Sequence, residues 1–468
     1  MKRALSLLLA LALGIPLAAC GKNGPSRIAA GDGRESDPSP EPATSYPALA
    51  LAVYPEMAPY PDEMSYVNQN GTIDESFYAA HDAWWDGVRA RREIAADLDT
   101  GGLDGFFAKS IRQFLSGAGS ENRVYSPLNV YMALAMLAEL TGGESRGQIL
   151  SLLGSDNIEA LRVQASTLWN ANYRDDGATK SILASSLWLS EDVNFVQSTL
   201  DRLAETYYAS SYQGTMGSPE FNEALQGWLS AQTGGLLDDQ ISYVTLDAET
   251  ILALATTVYF RAKWRSEFLV HFTELGVFHA ASGDMTVDFM HQGGSDIYYW
   301  GGKFSAVAKS LESDGDMLFL LPDEGVTPED LLTDGEAVDF LLSGGRDWAN
   351  SKYLTVNKSI PKFDVASDLD LNPGLMALGV TDVFDSMASD FSPMTADTPY
   401  IYVSKAEHAA RAVIDEEGVV ATAYTVMAAN GAGMPPEEEI DFILDRPFLF
   451  AITGAGGLPL FAGIVNTP

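Results

Sequence analysis

The stretch Glu416-Glu417-Gly418-Val419-Val420-Ala421-Thr422-Ala423-Tyr424-Thr425 constrains this chain more than any other. Residues 419–425 contain no proline, glycine or charge, and small or β-branched side chains dominate, as an internal strand of a sheet requires. Period-two alternation puts Val419, Ala421, Ala423 and Thr425 on one face, where small side chains let the strand slide over a packed core. The continuation is different. Ala428-Ala429-Asn430-Gly431-Ala432-Gly433-Met434-Pro435-Pro436 and then Glu437, Glu438 and Glu439 form a Pro-terminated, solvated segment. A latent strand thus leads into an exposed loop.

The body of the chain reads as α+β. Helical patterns at 103–115, 130–140, 145–153 and 158–172 give way to strand-like, apolar, turn-bounded runs at 180–189, 253–264 and 316–322. That order predicts one domain built around large, mostly antiparallel sheets. Cys20 is the only cysteine, so the fold rests on its core; with 46% apolar residues, it can.

The first hundred residues divide into three parts. Met1-Lys2-Arg3 is a basic start and residues 4–19 an apolar run too short to span a bilayer. Leu17-Ala18-Ala19-Cys20 resembles a bacterial lipobox, which implies that residues 1–20 are a signal peptide and that Cys20 is lipidated. Residues 21–62 are rich in Pro, Gly, Ser, Asp and Glu and predict a disordered, extended tether. In the extra segment 63–99, Phe77, His81, Trp84/Trp85, Val88, Ala95 and Leu98 recur near helical spacing. They predict a helix stapled to the body by its tryptophans, the alternative being a docking surface.

Catalytic and cofactor motifs lack their contexts. Gly143-Glu144-Ser145-Arg146-Gly147 matches a nucleophile elbow, but a helix precedes it where a strand is needed. Ser145 reads instead as a helix N-cap, with Gln148 completing a capping box. The histidines, His81, His271, His279, His291 and His408, have no zinc-site spacing or cysteine partners. Gly454-Ala455-Gly456-Gly457 reads as a hairpin turn rather than a phosphate cradle. No cofactor or metal is expected. A net charge of −36 argues against nucleic acid; a solvated acidic surface is its default meaning, and steering of cationic partners the sharper alternative.

Six further motifs carry a family resemblance. Asn122-Arg123-Val124-Tyr125-Ser126-Pro127-Leu128-Asn129, Val258-Tyr259-Phe260-Arg261-Ala262-Lys263-Trp264, Phe289-Met290-His291, Leu318-Phe319-Leu320-Leu321-Pro322, Ile360-Pro361-Lys362-Phe363 and Asp390-Phe391-Ser392 stand in serpin order. Phe442-Ile443-Leu444-Asp445-Arg446-Pro447-Phe448-Leu449-Phe450 resembles the serpin C-terminal signature. The resemblance spans residues 100–468 and implies the α+β serpin fold, with about nine helices and a reactive-centre loop at about 416–441. It assigns the hinge to Glu416, Glu417, Gly418, Val419, Val420, Ala421, Thr422 and Ala423, and the scissile bond to Ala432-Gly433, to within one or two residues. It places Ser126, Asn129, Thr256 and His408 in a polar cluster under the main sheet, and Trp264 and Lys362 at its top, Lys362 pairing with Glu416. Asn129 stands where serine is common and Thr256 where asparagine is common, as though the amide had changed sides.

The function implied is irreversible suicide inhibition of serine proteases by loop cleavage and strand insertion. From Gly418, the pivot, to Thr425, the bulky, charged or proline residues that spoil the hinge of non-inhibitory serpins are absent except for Tyr424 on the outward face. Residues 412–445 hold no Lys or Arg, so elastase-like or subtilisin-like proteases fit the bait and trypsin-like ones do not. The alternative is a non-inhibitory serpin acting as a surface binding module. The expected setting is the extracellular face of a bacterial membrane, touched only through lipidated Cys20, with the protein monomeric.

Overall fold

The structure is a computed structural model and describes residues 5–10, 44, 46–68, 70–98, 100–177, 179–312, 315–419 and 436–468. Strands β1 (Leu5–Ala10) and β2 (Ala48–Ala50) precede helices α1 (Ser76–Ala96) and α2 (Thr100–Leu115). Next come β3 (Arg123–Tyr125), α3 (Pro127–Leu140), α4 (Gly143–Leu153), α5 (Ile158–Asn172), β4 (Arg174–Asp175) and β5 (Thr179–Ser190). They lead to α6 (Gln197–Tyr207), β6 (Ala209–Gly214), α7 (Pro219–Gln232), the single turn α8 (Asp238–Ile241) and β7 (Thr250–Lys263). The middle holds β8 (Thr273–Ala280), β9 (Gly283–Trp300), β10 (Phe304–Ser310), β11 (Asp316–Pro322), α9 (Pro328–Asp334) and α10 (Glu336–Ser343). The last part adds β12 (Ser351–Pro361), β13 (Phe363–Asp370), α11 (Asn372–Ala377), β14 (Ile401–Ile414) and β15 (Gly418–Val419). Strands β16 (Glu439–Ile443), β17 (Phe448–Thr453) and β18 (Pro459–Val465) complete the chain.

Among the described residues two nine-stranded sheets result, and most pairings are antiparallel, as expected. The second runs β16-β12-β9-β10-β11-β17-β18-β3, with β8 on β9. In the first, β14 pairs with β13 on one side, and β7 leads through β5 and β6 to β2 on the other. Helix α3 lies inside the molecule, every residue buried, because it is apolar all round. Ser126 caps it and Pro127 takes its first turn, where a missing N–H costs nothing. Eleven α-helices occur among the described residues. The excess over the expected nine is α1, in the extra segment, and α8, a single turn.

Three local expectations need correction. The tether does not extend through residue 62: β2 pairs with β6, Ala50 and Ala52 are buried, and the Tyr60 N–H donates to the Asp176 carbonyl at 2.6 Å. Aromatic and alanine side chains among the prolines supply apolar area that composition averages away, and Tyr54 packs against Trp169, Tyr173 and Tyr208. Ser145 is not an N-cap. Helix α4 starts at Gly143 behind Gly142, and the buried Ser145 Oγ accepts the Asp390 N–H at 3.1 Å. A Cβ at Gly142 would stand 2.7 Å from Asp390 Oδ2, so the glycine is there to admit that neighbouring segment. Gln148 reaches out to Asp382 and Thr381 instead of back to a cap.

The extra helix is stapled to the body. Trp84 is buried and its indole N–H donates to Asp176 Oδ2 at 2.8 Å, beside Arg174 at 2.5 Å from the same oxygen. Gly454–Gly457 form the turn between β17 and β18, with φ of 73° and 76° at Gly456 and Gly457. None of the described helices is long and apolar enough to cross a membrane.

Candidate functional site: a gap in the main sheet

Strands β7 and β14 lie side by side in the same direction, yet among the described residues no pairing joins them along their middle. At one end β15 closes the space, Gly418 opposite Lys263 and Val419 opposite both Ala262 and Ile414. At the other end β1, from the expected signal peptide, runs parallel to Thr250–Ala255 of β7 and to residues 401–406 of β14. Between them a cleft holds about 740 Å³ of atom-free space, counting its open mouth. Residues 256–260 and 408–412 form its walls, and Leu229 of α7, Thr233 just beyond it, Ser126 at the cap of α3 and Asn129 within α3 also line it. An unpaired sheet interior is expensive, because backbone groups that face it lack ladder partners.

The polar cluster expected under the sheet is assembled here. Ser126 N–H donates to His408 Nε2 at 3.0 Å and Ser126 Oγ donates to the Leu460 carbonyl at 2.7 Å. Asn129 Nδ2 donates to the Thr256 carbonyl at 3.4 Å, so the amide on α3 reaches β7. Burial pushes His408 down to about 3, so the ring is neutral near pH 7. Since Nε2 accepts, the proton sits on Nδ1. His408 Nδ1, Thr256 Oγ1 and Thr257 Oγ1 are buried and make no hydrogen bond among the described residues, and all three residues line the cleft. Each such group costs about 1–3 kcal/mol. The cleft therefore holds free energy that a polar backbone entering it would release.

The top of the sheet is knit to the base of the loop. Lys362 Nζ lies 2.7 Å from Glu416 Oε1, and Thr273 Oγ1 donates to the same oxygen at 2.7 Å. Desolvation raises the Glu416 pKa, but these bonds outweigh it and hold the carboxyl below its usual range. This pair is half-buried rather than solvated, so it is stronger than a surface ion pair. Trp264 N–H donates to the Glu417 carbonyl at 2.9 Å, and its indole to the Asp415 carbonyl at 2.8 Å. Gly418 passes so near β7 that a Cβ would stand 2.3 Å from the Ala262 carbonyl oxygen. Only glycine fits.

Sequence reasoning missed Lys309. It is buried beneath Trp264 and Phe268, its ammonium 5.4 and 4.3 Å from their ring centroids, and it donates to the Ser266 carbonyl and Gln292 Oε1 at 2.6 Å each. Burial, then the nearby Lys358, push its pKa down to about 7. Period-two alternation in the apolar run Phe304–Ser310 could have pointed to it, since Lys309 falls on the face where Val307 is buried. The return side of the loop is anchored by Lys352, 2.6 Å from Glu438, and by β16 lying parallel to β12. Val420, Ala421, Thr422 and Ala423 of the hinge, the Ala432-Gly433 bond and Cys20 lie outside the described residues. No group of His, Cys, Asp and Glu among the described residues could hold a metal ion.

Comparisons with known proteins agree on one family. Residues 103–468 match the profile of the Serpin (serine protease inhibitor) family. The leukocyte elastase inhibitor of Homo sapiens is 28% identical over 360 residues, 74% of this chain and 93% of that protein. Alpha-1-antiproteinase of Callosciurus caniceps is 29% identical over 362 residues, 75% of this chain and 84% of that protein. Among solved structures, the thermophilic serpin tengpin in its native state superposes with a TM-score of 0.69 at 25% identity, covering 78% of this chain and 93% of that one. The native stressed conformation of Arabidopsis AtSerpin1 gives a TM-score of 0.68 at 25% identity, covering 81% and 98%. With the profile spanning most of its length, the chain belongs to the serpin family.

Proposed function

We propose that this serpin is a single-use inhibitor of elastase-like or subtilisin-like serine proteases, acting by cleavage of its loop and insertion of the stem into the gap between β7 and β14. The observation that carries the reading is the register of β15. Val419 pairs antiparallel with Ala262 and with Ile414; a stem inserted in that register, one residue for one, would set Ala421 opposite Phe260 and Ala412, Ala423 opposite Val258 and Ala410, and Thr425 opposite Thr256 and His408. These are the residues that wall the cleft. The stem's backbone and Thr425 would arrive where His408 Nδ1 and the threonine hydroxyls lack partners, and its small side chains fit the space.

In that mechanism a protease attacks Ala432-Gly433 and forms an acyl-enzyme. The freed stem then pairs downwards between β7 and β14, drawing the ester-linked protease along before water hydrolyses the bond. The free energy comes from ladder pairing and burial that the uncleaved chain leaves unmade. Leukocyte elastase inhibitors among the relatives and the cation-free bait support this target class. Display on the outer face of a bacterial membrane through a lipid on Cys20 belongs to the same reading, and removal of residues 1–19 would vacate the lower half of the gap. Incubation with pancreatic elastase tests it: an SDS-stable complex should form and mass spectrometry of the released peptide should begin it at residue 433. Cleavage without a complex would refute inhibition.

A further inference from the structure

Five of nine successive residues at the start of β8 are large, apolar and open to water. Leu269, Val270 and Phe272, in the turn before the strand, are 54%, 70% and 51% exposed, and Leu275 and Val277, on its outer face, 74% and 48%. The inner face of the same strand is ordinary core, with Phe278 and Ala280 buried. Single exposed apolar residues mean little, but a run of them with a polar rim marks a contact surface. The rim is acidic: exposed Asp288 stands opposite Leu275 and exposed Asp284 opposite His279, both on the face of the ridge.

The place of this ridge names its occupant. At its near end Thr273 Oγ1 donates to Glu416, and the Phe268 N–H to the Glu416 carbonyl, at the foot of the hinge. At its far end the His279 N–H donates to the Asp445 carbonyl, two residues beyond β16, the strand by which the loop returns. A protease gripping the loop is held over the surface between these two points. A second copy of this chain would bring like charges together, at −36 each.

We propose that the 269–277 ridge is a second contact for the baited protease, receiving an apolar patch beside that enzyme's cleft whose own rim is basic. This rests on the inhibitor reading above. The ridge adds to the encounter and not to insertion, so it should set how fast the complex forms and leave unchanged how many inhibitor molecules are consumed per enzyme.

The test is the second-order rate of complex formation with pancreatic elastase for the full chain, for V270D/L275D and for the milder V270T/L275T. V163D, which alters a 69% exposed valine on α5, serves as the control. V270D/L275D should associate at least about tenfold more slowly and V270T/L275T about threefold, with wild-type stoichiometry and melting temperature, while V163D matches the wild type. Wild-type rates in both double variants would overturn the ridge and leave the inhibitor reading intact. Absence of an SDS-stable complex with the unaltered chain would overturn the inhibitor reading itself.

Discussion

Ala421→Arg is the most direct challenge to strand insertion. Val419 is 1% exposed and faces the core, so two-residue periodicity puts Ala421 on the same inward face as the stem enters. The register then sets residue 421 between Phe260 and Ala412, both buried. A guanidinium carried there loses its water, and an unpaired buried charge costs about 3–5 kcal/mol. If the transition state for insertion feels all of it, insertion slows by a factor of roughly 150 to 5,000. Hydrolysis of the acyl-enzyme is unaffected, so it now wins the race and most encounters end in cleaved inhibitor and free protease. Titration of pancreatic elastase should need more than about ten variant molecules for each enzyme silenced, where the wild type needs about one, by the same rate ratio. SDS gels should show the cleaved band replacing the complex. Ala421→Ser, which adds one small hydroxyl, should stay near the wild type. Complete trapping by Ala421→Arg at wild-type stoichiometry would refute the insertion register.

Three further outcomes follow from the same geometry. Ala432→Arg should confer trypsin inhibition, read as an SDS-stable complex that the wild type does not form, because a carboxylate at the base of the trypsin pocket then finds a partner; success only at Gly431 or Gly433 would move the scissile bond. Nicking the loop between residues 428 and 433 with a protease that is not trapped should raise the melting temperature by about 10 °C or more, through ladder hydrogen bonds and apolar burial; an unchanged or lower transition would remove the stored free energy. Lys309 releases its proton near pH 7 in the folded protein and near its ordinary 10.5 when unfolded, so between those values the unfolded chain binds more protons and stability rises with pH by up to about 1.4 kcal/mol per unit. Lys309→Met should flatten that slope in denaturant titrations from pH 7 to 10, and an unaltered slope would show that the ammonium is not buried as described.

The parts legible in the sequence are those that one segment specifies alone. Alternation at 419–425 and the motifs around Ser126, Trp264 and Lys362 need only neighbours along the chain to be read. The amide exchange between Asn129 and Thr256 was visible as a departure from pattern, although only the packing of α3 against β7 shows the bond reaching a carbonyl and not a side chain. Lys309 and Thr273 were not legible as parts of the site, because strands far apart in sequence converge there on Trp264, Phe268 and Glu416. Ser145 misled because cap preference is local, whereas Gly142 and the 390 segment decide where α4 begins. Likewise Tyr54 and Tyr60 looked like tether until Trp169, Tyr173 and Tyr208 supplied a surface for one and Asp176 a partner for the other.

If the chain is an inhibitor held on a membrane through Cys20, as proposed, the edge strand β2 has a geometric consequence. Ala48 pairs with Tyr212, level with Trp188, which is itself opposite Ala253, so the chain reaches the sheet near the Thr250 end of β7. Full insertion carries Ala432 to that same end, about 40 Å from where the loop began at roughly 3.3 Å per residue. A captured protease would finish beside the point where residues 46–50 join the body, the side that a lipid on Cys20 would turn toward the bilayer. A protease of about 230 residues has a radius of gyration near 17 Å and a breadth of roughly 45 Å. The stretch from Cys20 to Tyr46, about 25 residues, spans up to roughly 78 Å as an extended Pro-rich spacer and nearer 28 Å as a flexible coil. If Cys20 carries a lipid as proposed, the prolines would decide whether the cargo clears the bilayer: an extended spacer would leave room for the enzyme beneath the inhibitor, and a glycine-serine replacement of equal length would press it against the headgroups.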